Sequence, residues 1–411
     1  MPLQIYAFHA NLWAGNVLGK RQTSVGKHIV RWAIVGLGVL LGALGGMAQT
    51  RSAWMALDSV DGRSITLFDA TWGRVERVAL GLGAHRVWGV LAGSCRIVAT
   101  LDGKPITATL RGEDVRPLFD ESTQRAIVGD RWRTDEMSVS PDGTRVALIL
   151  ERTTTQRNVT TRTYHLAVVD VATGALALYS QTGREFSPQW SPDGAWLAYL
   201  SYDERVAGAD LFATAVPTPS PPPNVTPPPP TLVNEADIWV VSADGTTKYR
   251  LTSFATGSAT MPRWSPDGKL LSFIYSPSPS NDMFWMIANQ ANAIPTQLSY
   301  EWVQAMDATW SPDGTRIIGV ARGLKGVNEN RLWSIPLVGR ADQDATFYLP
   351  NAPLFSADYP RFSPDGRFLA VRTAYALAIV DVLSAEVRVY DDPAWAMGNT
   401  PAYWAEPTCE F

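Results

Sequence analysis

The chain has 411 residues, 46% of them hydrophobic, with 35 basic and 39 acidic side chains and a formal net charge of −4. Residues 1–50 hold four bases (Lys20, Arg21, Lys27 and Arg31) and no acid, so the body after residue 50 carries 31 bases against 39 acids and lacks the basic footprint of a nucleic-acid-binding protein. The apolar fraction suffices for a large core, and 16 Trp, 32 Gly and 29 Pro suit many short strands joined by tight turns.

Residues 1–28 show neither strand alternation nor a helical stripe and are assigned no fold. Residues 29–50 read as one hydrophobic helix: Trp32 to Thr50 are 19 residues without a charge, enough to cross about 30 Å of hydrocarbon. The bases lie mainly before this run, which places the N-terminus in the cytoplasm and the body outside. The alternative is a signal peptide cleaved after a small-x-small site at Gly46-Met47-Ala48. Both readings export the body, either anchored or secreted. Gly38, Gly42 and Gly46 are read as small residues common in such helices rather than as a pairing seam.

From Arg51 onward one stretch recurs. Ser-Pro-Asp-Gly stands at 140–143, 191–194, 265–268, 311–314 and 363–366, each after an apolar residue (Val139, Trp190, Trp264, Trp310, Phe362) and before a short apolar run. Proline presets φ at the second turn position, Ser and Asp bond nearby amides, and Gly takes the left-handed conformation that returns the chain into the next strand. Further apolar runs with a polar end follow at 166–170, 237–241, 283–287, 332–335 and 377–381. Each unit therefore predicts four strands, a to d, in the order inner strand, turn, strand b, strand c, tight turn, strand d. Four antiparallel strands repeated about every 50 residues predict the blade of a β-propeller.

A blurred copy at 90–97 gives a sixth inner strand. The chain ends supply halves of one more unit: 53–57, 65–69 and 75–80 read as strands b, c and d, and Thr400-Pro401-Ala402-Tyr403-Trp404 resembles 260–264 and reads as strand a. The expected fold is thus an all-β seven-bladed propeller over 51–411, closed by the C-terminal strand on the first blade, with six blades as the alternative. Cys95 lies five residues after Val90 and Cys409 five after Trp404. They fall at one repeat position of adjoining blades, unless Tyr403 rather than Trp404 is in phase. An exported protein permits a disulfide there, provided the Cα atoms come within about 7 Å.

The pattern Pro, any residue, Trp, Ser-Pro-Asp-Gly and a short apolar strand resembles the WD-like repeats of TolB-type propellers, which also occur in the propellers of prolyl-oligopeptidase-type enzymes. The resemblance covers about residues 84–405. It implies a propeller fold and a cell-envelope scaffold that binds a protein or glycan partner.

The residues supply little chemistry. Asp142, Asp193, Asp267, Asp313 and Asp365 sit one per distant turn and cannot jointly give calcium its six to eight oxygens, so turn chemistry is expected, with no metal and no cofactor. The body contains only His85 and His165 and no Gly-x-Ser-x-Gly elbow. Arg263 and Arg361, matched positions just before the inner aromatic residues, are the candidate binding residues. Strand alternation puts the a–b and c–d turns on one face and the b–c and d–a links on the other. Links at 152–162, 276–282 and 322–330 and a Pro-rich insertion at 201–236 predict that the second face points away from the membrane and binds the partner. The competing expectation is a propeller enzyme, such as a polysaccharide lyase or hydrolase, acting at the channel mouth.

Overall fold

The computed structural model describes residues 52–405 and Cys409, apart from 59–61, 82, 84, 135, 181, 207–231, 279–280, 301–302, 349–355, 374–375 and 391–400. The expected hydrophobic helix at 29–50, the unassigned 1–28 and the Pro-rich run at 217–230 lie outside the described residues. Among the described residues no helix is long and apolar enough to cross a membrane.

Seven antiparallel sheets form the propeller. Blade 1 joins Tyr403–Trp404 to Trp54–Asp58, Ile65–Asp69 and Arg74–Val78, with Met55 opposite Trp404 and Ala56 opposite Tyr403. The two ends of the fold therefore share one sheet, and the ring has no open sheet edge at its seam. Blade 2 runs from His85–Val90 to Arg116–Pro117, and in blade 3 the inner strand is split into Trp132–Arg133 and Met137–Val139. Inner strands Glu185–Trp190, Ser258–Trp264, Gln304–Trp310 and Asp358–Phe362 begin blades 4 to 7. Neighbouring inner strands touch one another around the ring, which places them on the central channel.

The core is distributed between blades. Side chains alternate across a strand, so Trp54 and Ala56 pack with Val87, Ile97 and Ala99 of blade 2, whereas Met55 and Leu57 pack with Phe368, Leu377 and Ile379 of blade 7. This explains why the five residues Trp54–Asp58 are all buried despite the period of two. Among the described residues seven such clusters occur, one at each blade boundary. A fully buried Met or Leu contributes about 2 kcal/mol through the hydrophobic effect, so each boundary carries many times the worth of a single turn.

Each Ser-Pro-Asp-Gly turn uses its residues alike. Ser140 Oγ donates to Asp142 Oδ1 (2.6 Å), the Thr144 amide donates to the same carboxylate (3.1 Å), and the Arg145 amide donates to Ser140 Oγ (2.9 Å). The turns at Ser191, Ser265, Ser311 and Ser363 repeat this pattern. All five glycines have φ between 67° and 69°, which a side chain would strain. The same arrangement also closes the c–d turn of blade 4, where Ser242 Oγ donates to Asp244 (2.5 Å) and Thr247 N to Ser242 Oγ (2.9 Å).

Three segments expected as loops run into strands, among them 276–282, where Leu270–Ser278 pairs with Asn281–Ala288 in blade 5. In blade 3, Arg145–Gln156 pairs throughout with Val159–Asp170, so 152–162 is a hairpin rather than a loop. Arg157 (φ 47°) and Asn158 (φ 63°) turn it, with positive φ at both central positions as a type I′ turn requires; the run of Thr153 to Thr155 and Thr160 to Thr161 favours extended backbone. In blade 4, Trp196–Val206 pairs with Leu232–Ser242, so the ends of the insertion expected at 201–236 belong to the sheet.

Candidate functional site

The channel wall is built from the end of each inner strand. Four tryptophans lock these strands together. The indole N–H of Trp190 donates to Ser138 O (3.2 Å), that of Trp264 to Gln189 O (3.0 Å), that of Trp310 to Arg263 O (2.9 Å) and that of Trp404 to Arg361 O (3.0 Å). Every acceptor is the residue just before the repeat position of the preceding blade, so one clasp recurs around the ring. Trp404 makes the same bond as the others, which settles the phase of the closing strand. Val90, Val139 and Phe362 offer no indole, and the boundaries they face lack the clasp. At one of these, between blades 1 and 2, Cys95 and Cys409 are joined as a disulfide with Cα atoms 5.4 Å apart.

The clasped level is also the polar level of the channel. Ser138, Gln189, Arg263, Thr309, Arg361 and Tyr403 occupy it, all part-exposed, with Gly89 completing the set. No acid stands at this position in any blade. In blades 4, 5 and 7 a proline precedes the ring residue, and Ser187, Met261 and Tyr359 before it take φ of 52°, 53° and 47°. The strand register shifts there, which marks a β-bulge that turns the following side chains relative to the sheet.

Arg263 and Arg361 meet on one carboxylate. Asp307, on the inner strand of blade 6 and fully buried, receives Arg263 Nη2 on Oδ1 and Arg361 Nη2 on Oδ2, both at 2.8 Å. Each guanidinium also donates Nη1 to the carbonyl of its own preceding proline, Pro262 (3.1 Å) or Pro360 (2.7 Å). Burial opposes ionisation of Asp307, but the charges of Arg263 and Arg361 outweigh it and hold the carboxyl below its ordinary range. Burial pushes the Arg263 guanidinium down from its ordinary value, and Asp307 opposes the shift. The triad has a formal charge of +1.

A second acidic group lies toward the b–c face. Asp358 is paired in register with Arg372, and burial raises its carboxyl to about 6. Tyr359 and Tyr403 are pushed up by burial, and Arg372 is pushed down by it. Asp58 accepts the Val87 amide at 2.5 Å across the blade 1–2 boundary. Among the described residues no three His, Cys, Asp or Glu side chains are placed to hold a metal ion.

Sequence reasoning identified Arg263 and Arg361 as equivalent positions and missed Asp307, which lies three residues before its repeat tryptophan. The overlooked signal was a comparison of the residues preceding each repeat aromatic, which shows hydrogen-bond donors and no acid. His85 is buried in blade 2 and His165 half-buried in blade 3, on different sheets.

No protein-family model matches the chain. The uncharacterized peptidase YuxL of Bacillus subtilis is 23% identical over 233 residues, 56% of this chain and 28% of that protein, so this chain spans less than a third of its relative. Among solved structures, an oligogalacturonate lyase from Vibrio parahaemolyticus superposes with a TM-score of 0.52 at 12% identity, covering 82% of this chain and 90% of that one. TolB from Acinetobacter baumannii is also similar, with a TM-score of 0.45 at 16% identity over 86% of this chain and 82% of that one. At 12% identity the likeness to the lyase concerns the propeller fold.

Proposed function

We propose that this protein is an exported, membrane-anchored propeller of TolB-like type that captures a protein or glycan partner of the cell envelope on its loop-rich face. The observation that carries the reading is the pair of long b–c hairpins on adjacent blades 3 and 4, whose strands run 12 and 11 residues. Strands b and c of blades 1 and 7 have only five residues each. The two hairpins therefore project beyond the b–c face on one side of the ring. Val159 and Leu232, 65% and 53% exposed, lie in their outer parts. Rigid projections with exposed apolar side chains supply contact area at little ordering cost.

A photo-crosslinker placed at Val159 and, as a control, at Thr315 on the opposite face tests this in cells that make the protein. Envelope adducts from Val159 alone are expected. Equal yields from both positions, or adducts from Thr315 alone, would refute the assignment of faces.

A second reading is favoured by the Arg263, Asp307 and Arg361 triad: the channel accepts an anionic group, as an enzyme of uronide polymers would require. Against catalysis, Arg263 donates to Asp307 and Arg361 is ion-paired with it, so part of the positive charge a substrate carboxylate would meet is already offset. Ultraviolet-absorbing unsaturated products from a uronide polymer, lost in Arg361→Gln, would establish the enzyme reading over the scaffold.

A further inference from the structure

The face that carries the Ser-Pro-Asp-Gly turns has its own pattern. Among the described residues the three most exposed large apolar side chains are Ile294 (88%), Val338 (89%) and Leu383 (89%). They occupy the c–d links of blades 5, 6 and 7, one in each. The c–d link of blade 1 presents Trp72, 58% exposed, and that of blade 2 presents Val115, 40% exposed. Single exposed apolar residues are ordinary on a soluble surface. Here one stands at the same place in five consecutive blades. The c–d turns of blades 3 and 4 carry Thr173 and Asp244 instead. The arc is therefore lopsided, and it leaves out the two blades whose hairpins rise from the opposite face.

The chain reaches this same face. Strand Trp54–Asp58 starts at the a–b side, so residues 52–53 lead into the propeller beside the arc, and the uncharged stretch 32–50 ends only a few residues earlier. Few residues lie between a stretch long enough to cross a bilayer and the rim, so a fold so tethered is kept close to the lipid surface. Trp and aliphatic side chains at turn tips suit the boundary between headgroups and acyl chains, and a tryptophan is favoured there because it offers both an apolar ring and an N–H.

We propose that the arc formed by Val115, Trp72, Leu383, Val338 and Ile294 rests on the lipid surface and tilts the ring, with blades 3 and 4 raised. The inference rests on the membrane-anchored reading above. It adds a contact surface and an orientation: the partner-binding hairpins stand at the highest point above the bilayer.

The test uses the full chain reconstituted into phosphatidylcholine vesicles that contain nitroxide-labelled lipid. An environment-sensitive fluorophore is attached to Val338→Cys, Leu383→Cys or, as the remote control, Val159→Cys, and flotation of the vesicles reports anchoring separately. Anchored protein with quenching at least threefold stronger at 338 and 383 than at 159 is the expected result. A fourth probe, at Thr173→Cys on the raised side of the same face, should be quenched less than either rim position. Flotation without quenching at the rim would overturn the inference while leaving the anchor intact. Equal quenching at 173, 338 and 383 would overturn the tilt, and rim protection explained by a detergent-stable dimer would assign the arc to a second copy instead. Failure to float would overturn the anchor and the inference together.

Discussion

Replacing Trp310 by Phe tests whether the indole clasp, rather than packing alone, binds one blade to the next. Trp310 is 4% exposed and its N–H donates to Arg263 O at 2.9 Å. The substitution leaves a part-buried carbonyl without that donor, which costs about 1–3 kcal/mol. It also removes about 40 Å² of apolar surface, worth roughly 1 kcal/mol, so a total loss of about 2–4 kcal/mol is expected. Trp88 provides the matched control. It is 7% exposed, its N–H makes no hydrogen bond among the described residues, and its ring lies under Arg86 at 4.3 Å, a contact Phe preserves in kind. Trp88→Phe should therefore lose only the packing part. Urea unfolding followed by circular dichroism measures both variants under one condition, and the difference between them isolates the bond. Equal destabilisation, within about 0.5 kcal/mol, would show that the tryptophans act by volume alone and that the indole bonds do not hold the ring.

Other expectations follow from the same geometry. The Cys95–Cys409 disulfide spans 314 residues of sequence, and the chain-entropy relation assigns a loop of that length about 6 kcal/mol; the double change to alanine should lower the urea midpoint accordingly, and an unchanged midpoint, with the original chain shown to release two thiols only under reductant, would contradict it. Gly143 and Gly194 share φ values of 68° and 67°, but a Cβ on Gly143 would lie 2.6 Å from the backbone N and O of Ala92, whereas on Gly194 its nearest neighbour is Pro141 Cδ at 3.7 Å. Gly143→Ala should therefore cost at least about 1–2 kcal/mol more than Gly194→Ala, since the φ strain cancels; equal thermal midpoints would show that the turn yields freely. Asp358 has a folded pKa of about 6 against an ordinary 3.8, raised by burial. The cost of ionising it in the fold is absent below about pH 4, grows as pH rises to about 6 and is constant above. Asp358→Asn should be neutral near pH 4 and stabilising by on the order of 2–3 kcal/mol at pH 7.5, and a stabilisation independent of pH would rule out the carboxyl as its source.

The blade order was legible because the repeat is local. Ser, Pro, Asp and Gly at fixed offsets specify a turn through bonds within six residues, and apolar runs on either side specify strands, so the seven units could be counted in sequence. The closing strand was legible for the same reason, since 260–264 and 400–404 share a pattern. The strand pairings that take up 152–162, 276–282 and the ends of 201–236 were misjudged. The first turn uses Arg157 and Asn158 in place of the glycine expected in a type I′ turn, and in the last case Trp196–Val206 pairs with Leu232–Ser242, segments that a proline-rich run separates in the sequence.

What the sequence by itself determined was the list of turns, strands and aromatic positions, because each depends on neighbours a few residues away. Only the tertiary structure decided which side chains meet across blades. Arg263 and Arg361 are 98 residues apart and both end on Asp307, and tryptophans bond carbonyls 43 to 75 residues distant. The exposed arc is likewise invisible until the ring closes, because its members share a face only when five separate turns are brought to one side of the propeller. Such contacts depend on the angle and spacing at which blades pack, a property of the whole ring and not of any one repeat.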